Sequence, residues 1–274
     1  KQVGALTSWS KVSASFSNSF AIKTNGTLWS WGLNTNGGLG LGDITNRNSP
    51  VQVGALTTWA MVSGSRYFSL AVKTDGTLWS WGRNTDGQLG LGNTTNYSSP
   101  VQVGALATWS TVSGGNNFAL AVKTNGTMWS WGGNGSGQLG LGNITNYSSP
   151  KQIGALTTWS TVSAGEEFSL ATKTNGTLWS WGQGSNGRLG LGNVTSYSSP
   201  KQIGALTTWS TVSTGEQFSL AITTGGALWS WGRNNGGQLG LNFAANISSP
   251  AQVGALTTWS KIAGGKDFSF AIKT

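Results

Sequence analysis

The chain alternates apolar and polar residues in short runs, and the runs recur. In the stretch 51–100, Phe68-Ser69-Leu70-Ala71-Val72-Lys73 places Phe68, Leu70 and Val72 on one face of a strand and Ser69, Ala71 and Lys73 on the other. Asp75-Gly76 follows and predicts a tight hairpin turn through positive φ angles. The return strand, Thr77-Leu78-Trp79-Ser80-Trp81, sets both tryptophans on one face. Before this hairpin, Met61-Val62-Ser63 reads as a short strand ended by Gly64. After it come Leu89-Gly90-Leu91-Gly92, a polar loop from Asn93 to Ser99, and Pro100, which opens an extended piece from Val101 to Leu106. The unit therefore reads as four short strands with no helix.

The same unit repeats every 50 residues. Pro50, Pro100, Pro150, Pro200 and Pro250 are the only prolines, and Trp9, Trp59, Trp109, Trp159, Trp209 and Trp259 keep the same interval. So do the pairs Trp29/Trp31, Trp79/Trp81, Trp129/Trp131, Trp179/Trp181 and Trp229/Trp231, which complete the 16 tryptophans. Copies of Asp75-Gly76 recur as Asn25-Gly26, Asn125-Gly126, Asn175-Gly176 and Gly225-Gly226. A four-stranded unit with large residues on one face and small ones on the other cannot bury itself alone. Stacked on copies, the Trp pair of one sheet is expected to lie over the Ser and Ala of its neighbour. Each Trp buries roughly 150–250 Å², so the ten paired ones should dominate stability.

The expected fold is all-β: a β-propeller of four-stranded antiparallel blades, whose ring protects the sheet edges. It forms one domain with units 1–50, 51–100, 101–150, 151–200 and 201–250 and a partial unit 251–274. Val3-Gly4-Ala5-Leu6 reads as the last strand of a preceding unit, and the chain stops two strands into the sixth. This predicts about six blades, or seven in a longer natural chain. A parallel β-helix with two coils per repeat stays as an alternative, although the Asn-Gly hairpins demand antiparallel pairing.

Composition narrows the chemistry. The 274 residues contain no Cys and no His, which removes disulfides, thiolate metal sites and the commonest general base. The formal net charge of +9 raises the question of nucleic acid. Lys23, Lys73, Lys123, Lys173 and Lys273 share one repeat position, however, so copying one lysine inflates the total, and no basic run exists. Nucleic-acid binding is therefore not expected. No apolar stretch is long enough for a membrane-spanning helix.

The segment from Phe68 to Gly92, with Asp75-Gly76, Trp81-Gly82-Arg83-Asn84 and Gly87-Gln88-Leu89-Gly90, resembles the repeat of the regulator of chromosome condensation family. The resemblance recurs in five copies over essentially the whole chain and implies a propeller, commonly of seven blades. The copies depart from the family pattern where its usual His is replaced by Phe68, Phe118, Phe168, Phe218 and Phe268, and by Asn18 in the first. The family's plant photoreceptor motif would fall on Ser65-Arg66-Tyr67-Phe68-Ser69, which has no Trp, so photoreception is not carried over. Nucleotide exchange on a small GTPase resides in particular loops that no residue here matches. The family also includes a secreted protein inhibitor of an enzyme, which implies that the fold can act by binding alone.

Catalytic groups are sparse. Glu166-Glu167 is the one adjacent carboxylate pair, and strand neighbours point to opposite faces. Convergence of Glu166 or Glu167 with Glu216 would make at most a weak cation site. Gly-rich stretches such as Gly87 to Gly92 precede no helix and so lack a phosphate-binding N-terminus. The chain therefore reads as a non-enzyme without cofactor or metal.

Variation between the copies concentrates in two loops. The first precedes the apolar strand: Phe16-Ser17, Arg66-Tyr67, Asn116-Asn117, Glu166-Glu167, Glu216-Gln217 and Lys266-Asp267. The second follows Trp-Gly: Leu33, Arg83, Gly133, Gln183 and Arg233. Equivalent loops of a propeller gather on one face, so these residues form the expected binding site for a protein or glycan; the alternative is neutral drift at exposed turns. A self-assembling structural protein, with incomplete blades pairing between chains, is the second reading. The Asn/Thr-rich, Cys-free character points to an extracellular, cell-surface or virion setting.

Overall fold

A computed structural model describes residues 8–274, and the strand expected at Val3–Leu6 lies outside the described residues. The fold is all-β: five four-stranded antiparallel sheets and one two-stranded sheet. The first blade holds β1 (Trp9–Ala14), β2 (Asn18–Lys23), β3 (Leu28–Gly32) and β4 (Arg47–Gln52). The second holds β5 (Trp59–Gly64), β6 (Phe68–Lys73), β7 (Leu78–Gly82) and β8 (Tyr97–Gln102). The third holds β9 (Trp109–Gly114), β10 (Phe118–Lys123), β11 (Met128–Gly132) and β12 (Tyr147–Gln152). The fourth holds β13 (Trp159–Ala164), β14 (Phe168–Lys173), β15 (Leu178–Gly182) and β16 (Tyr197–Gln202). The fifth holds β17 (Trp209–Thr214), β18 (Phe218–Thr223), β19 (Leu228–Gly232) and β20 (Ile247–Gln252), and the partial sixth β21 (Trp259–Gly264) and β22 (Ser269–Lys273).

Three local readings are corrected. The hairpin turn is not a two-residue turn with two positive φ angles. Lys73 N donates to Thr77 O and Gly76 N to Lys73 O, closing a three-residue loop. Only Gly76 of that loop takes a positive φ, at 79°. A type I turn followed by one left-handed residue explains why Asn, Asp and Gly are interchangeable before the glycine. Secondly, Pro100 lies inside β8 rather than at the start of a strand, and 103–106 is loop. The β7–β8 register passes from Ser80↔Val101 to Gly82↔Tyr97, so Pro100 sits in a bulge of the outermost strand, where its missing N–H costs no ladder bond.

Thirdly, the tryptophans do not lie over the neighbour's Ser and Ala. Ser69 is the register partner of Trp81, and Ala71 of Trp79, so the small residues share the tryptophans' own face and leave room for the indoles. Across the interface, Trp81 and Ala71 meet the large apolar face of the preceding blade, Phe20, Ile22 and Leu28. Each hydrophobic core thus lies between two blades, and both faces of β6 are buried. The paired tryptophans also differ in burial. Trp81, Trp131, Trp181 and Trp231 are fully buried, whereas Trp79, Trp129, Trp179 and Trp229 are half-buried. Trp31, with no blade before it among the described residues, is half-buried as well. At the other flank Phe270, with no blade after it among the described residues, is 65% exposed.

A bulge between Trp59 and Met61 brings Trp59 into register with Lys73. Trp59 then meets Trp79 edge to face at 6.1 Å. The innermost strands face a central channel and are joined by a belt of serines. The hydroxyls of Ser13, Ser63, Ser113, Ser163 and Ser213 accept the backbone N–H of Gly64, Gly114, Ala164, Thr214 and Gly264 at 2.9–3.1 Å. Every described blade interface has one such bond.

Candidate binding face around the central channel

The loops before the apolar strands end at one mouth of the channel. Phe16, Arg66, Asn116, Glu166, Glu216 and Lys266, one from each blade, line its 560 Å³ cavity. Backbone bonds tie parts of this rim: Asn116 N donates to Glu166 O, Glu166 N to Glu216 O, and Glu216 N to Gly265 O, at 3.1–3.3 Å. Lys266 Nζ lies 4.9 Å from the ring centre of Phe16, so the partial sixth blade reaches the first across the mouth.

The second variable loop is held against the first. The N–H of Leu33, Arg83, Gly133, Gln183 and Arg233 donates to the carbonyl of Ser17, Tyr67, Asn117, Glu167 and Gln217 at 2.8–3.0 Å. Residues 16 positions apart in sequence therefore share one face, as expected. Arg66, Asn116, Glu166, Glu216 and Lys266 line the channel, whereas Tyr67, Asn117, Glu167, Gln217 and Asp267 do not. These last five engage neighbouring loops. Asn117 Nδ2 reaches Asp86 at 3.4 Å, and Glu167 Oε2 accepts from Ser136 and Gln183, each at 3.0 Å. Gln217 accepts from Asn186 at 2.9 Å and donates to Glu166 at 3.1 Å, while Asp267 pairs with Arg233 at 3.3 Å.

Of the charged residues that line the channel, Arg66 and Lys266 lie in blades two and six, and Glu166 and Glu216 in blades four and five. Arg66 stacks on Phe16 and Tyr67, with its guanidinium carbon 4.4 and 5.1 Å from the ring centres. Arg83 reaches Tyr67 as well, at 5.1 Å, so the tyrosine contacts two guanidinium groups. Blades four and five bear Glu166, Glu167 and Glu216. Burial, then the neighbouring Glu166, pushes the Glu216 carboxyl up, with Lys266 opposing. Among the described residues the ion pairs are Arg47–Asp43 and Arg233–Asp267, which leaves Arg66, Arg83 and Lys266 unneutralised. Among the described residues no group of three or more Asp or Glu is placed to hold a metal, and Glu166 and Glu167 accept bonds from Gln217 and Gln183.

Arg188 was not singled out by the sequence reading. It stands where other copies have Gln88, Gln138 and Gln238, is 1% exposed, and leaves its Nη1 without a partner. Burial holds its guanidinium below the ordinary arginine range, with Glu166, Glu167 and Glu216 opposing. An Arg where three copies have Gln and the first has Gly38 was the legible signal.

The regulator of chromosome condensation (RCC1) repeat matches residues 25–72, 75–122, 125–172, 175–222 and 225–272. The chain belongs to the RCC1 repeat family. Its RCC1 repeats run from one hairpin tip to the next, so each takes the outer strands of one blade and the inner strands of the following one. The propeller is similar to that of human WBSCR16, with a TM-score of 0.87 and 22% identity over 97% of this chain and 72% of that one. It is also similar to Prp20p from Saccharomyces cerevisiae, at 0.84 and 21% over 96% and 68%. That protein is described by its binding to Gsp1p and histones, and a second structure shows Kap60 bound to yeast RCC1 (Prp20). No curated protein matches this chain in sequence. Among the described residues no helix is long and apolar enough to cross a membrane.

Proposed function

We propose that this chain is a non-catalytic interaction scaffold that binds a protein through the loop face around the channel mouth. One observation supports this reading above the others: the two most variable loops of each blade are hydrogen-bonded to one another on a single face, around a rim whose charges are divided. Arg66, Arg83 and Lys266 cluster with Phe16 and Tyr67, while Glu166, Glu167 and Glu216 occupy other blades. A rim divided in this way suits a partner surface with the complementary division, and it orients that partner. Cations stacked on aromatic rings are already placed, so little side-chain freedom is lost on docking.

Protein and glycan arrays probed with the chain and with an R66E/R83E/E166K/E216K variant test the proposal. Protein hits abolished by the variant support it. Hits confined to glycans, hits that survive the variant, or an absence of hits overturn it.

A further inference from the structure

On the opposite face, at the hairpin tips, four blades contain a repeated cation site. Lys23, Lys73, Lys123 and Lys173 set their ammonium groups over Trp29, Trp79, Trp129 and Trp179, 3.6–3.8 Å from the ring centres. A second ring, from Trp9, Trp59, Trp109 or Trp159, stands 4.8–5.3 Å from the same nitrogen. The indole N–H of the first ring donates to Thr27, Thr77, Thr127 or Thr177 at 2.9–3.0 Å. The site is two perpendicular indoles around an ammonium, with the indole nitrogen satisfied by threonine.

The fifth blade keeps the rings and changes everything else. Trp209 and Trp229 meet at 5.9 Å and 74°, as in the other copies. The lysine position is Thr223, the threonine position is Ala227, and Gly225 replaces the Asn or Asp between them. Thr223 Oγ1 turns to its own loop, where it accepts from Ala227 N at 3.2 Å. Trp229 Nε1 is buried and has no acceptor. Both rings open onto a 380 Å³ cleft that also contacts Leu191, Ile203, Leu206 and Pro250 and has no charged side chain in its lining.

We infer that Trp209 and Trp229 form a binding site for an external alkylammonium group, which takes the place that the chain's own lysine fills in four other blades. The indole faces attract the cation, and the apolar walls suit methyl groups on the nitrogen. An oxygen acceptor near the ammonium would satisfy Trp229 Nε1. A methylated lysine side chain and a small quaternary ammonium share this chemistry.

The test titrates the whole chain with choline, with mono- and trimethylated lysine amides, and with the neutral choline isostere 3,3-dimethylbutanol, following the tryptophan indole N–H resonances. The expected result is a shift of the Trp229 resonance by the ammonium probes, with affinities on the order of millimolar. The isostere should bind at least about tenfold more weakly. T223K, which installs the side chain that four blades already accommodate, should lose the response by the same factor while keeping its fold. K173T/N175G/T177A should create a second site on Trp179. A stronger response to the lysine amides than to choline assigns the site to peptides, and the reverse to small ligands. Equal binding of the isostere, unchanged binding in T223K, or no shift up to tens of millimolar overturns the inference.

Discussion

Trp81 Nε1 donates to the backbone carbonyl of Gly38, 43 residues earlier and one blade away, at 2.8 Å. Ser69 Oγ donates to the same oxygen at 2.9 Å, so one carbonyl receives two bonds from the next blade. The pattern recurs where Trp181 and Ser169 meet Gln138, and where Trp231 and Ser219 meet Arg188. In the third blade Ala119 replaces the serine, and Gln88 O keeps only the bond from Trp131. Trp131→Phe should therefore destabilise by about 2–4 kcal/mol, roughly 1 kcal/mol more than Trp181→Phe, whose carbonyl retains Ser169. Ala119→Ser should stabilise by about 1 kcal/mol by restoring the second bond. Urea unfolding of the three variants measures both differences.

Two glycines with similar backbone angles should respond differently to alanine. Gly90 has φ of 73°, and a Cβ there would come 2.8 Å from Trp131 Nε1. Gly104 has φ of 61° with nothing within 4 Å of such a Cβ. Gly104→Ala should cost only the left-handed penalty, roughly 1–2 kcal/mol. Gly90→Ala should cost more than about 3 kcal/mol, since the buried indole cannot move without parting the blades. Thermal melts of both variants read the contrast directly.

Arg188→Gln should raise stability. Gln88, Gln138 and Gln238 each accept a backbone N–H two residues before them at 2.9 Å, and Arg188 replaces that bond with a buried charge whose Nη1 is unpaired. Arg188 Nε and Nη2 do donate to Ser185, but replacing the buried charge with a neutral amide that regains the backbone bond should still stabilise by about 1–3 kcal/mol. Chemical denaturation at neutral pH is the measurement.

Glu216 should give part of the stability a downward slope with pH. Its folded-state pKa is raised, so between its unfolded and folded values the native state binds more protons than the unfolded chain. The contribution is full below the unfolded value and is lost as pH rises through the folded one. Asp43 and Asp75 are held below the carboxylate range, chiefly by hydrogen bonds from Thr45 and Thr77, and so slope the opposite way. Glu216→Gln isolates the first effect. Its melting temperature relative to the parent should rise as pH climbs from the carboxylate range towards neutrality, and a constant difference would refute the assignment.

The repeat and its strands were legible because period-2 alternation and fixed Trp and Pro spacing are properties of the chain itself. The convergence of Arg66 with Arg83 and of Glu167 with Gln183 was legible too, since a propeller forces equivalent loops onto one face. Which face of β6 meets which neighbour was not, because alternation marks two faces without saying what lies against each. Lys73 shows the same limit. In the sequence it reads as one copied charge, and only the bulge at Trp59 reveals that it has a fixed place between two indoles. The solitary Arg188 needed a packed interior before the unpaired Nη1 of its guanidinium could be seen.

The bond from Trp81 to Gly38 makes each blade directional: one flank supplies donors and the opposite flank supplies the acceptor. Removing residues 101–150 would set Trp181 against Phe68 and the carbonyl of Gln88, a seam of the same kind as those it replaced. Any blade can thus follow any other, and no single junction encodes how many there should be. Blade count is a matter of circumference, decided only where the first and last flanks of an array come to face each other.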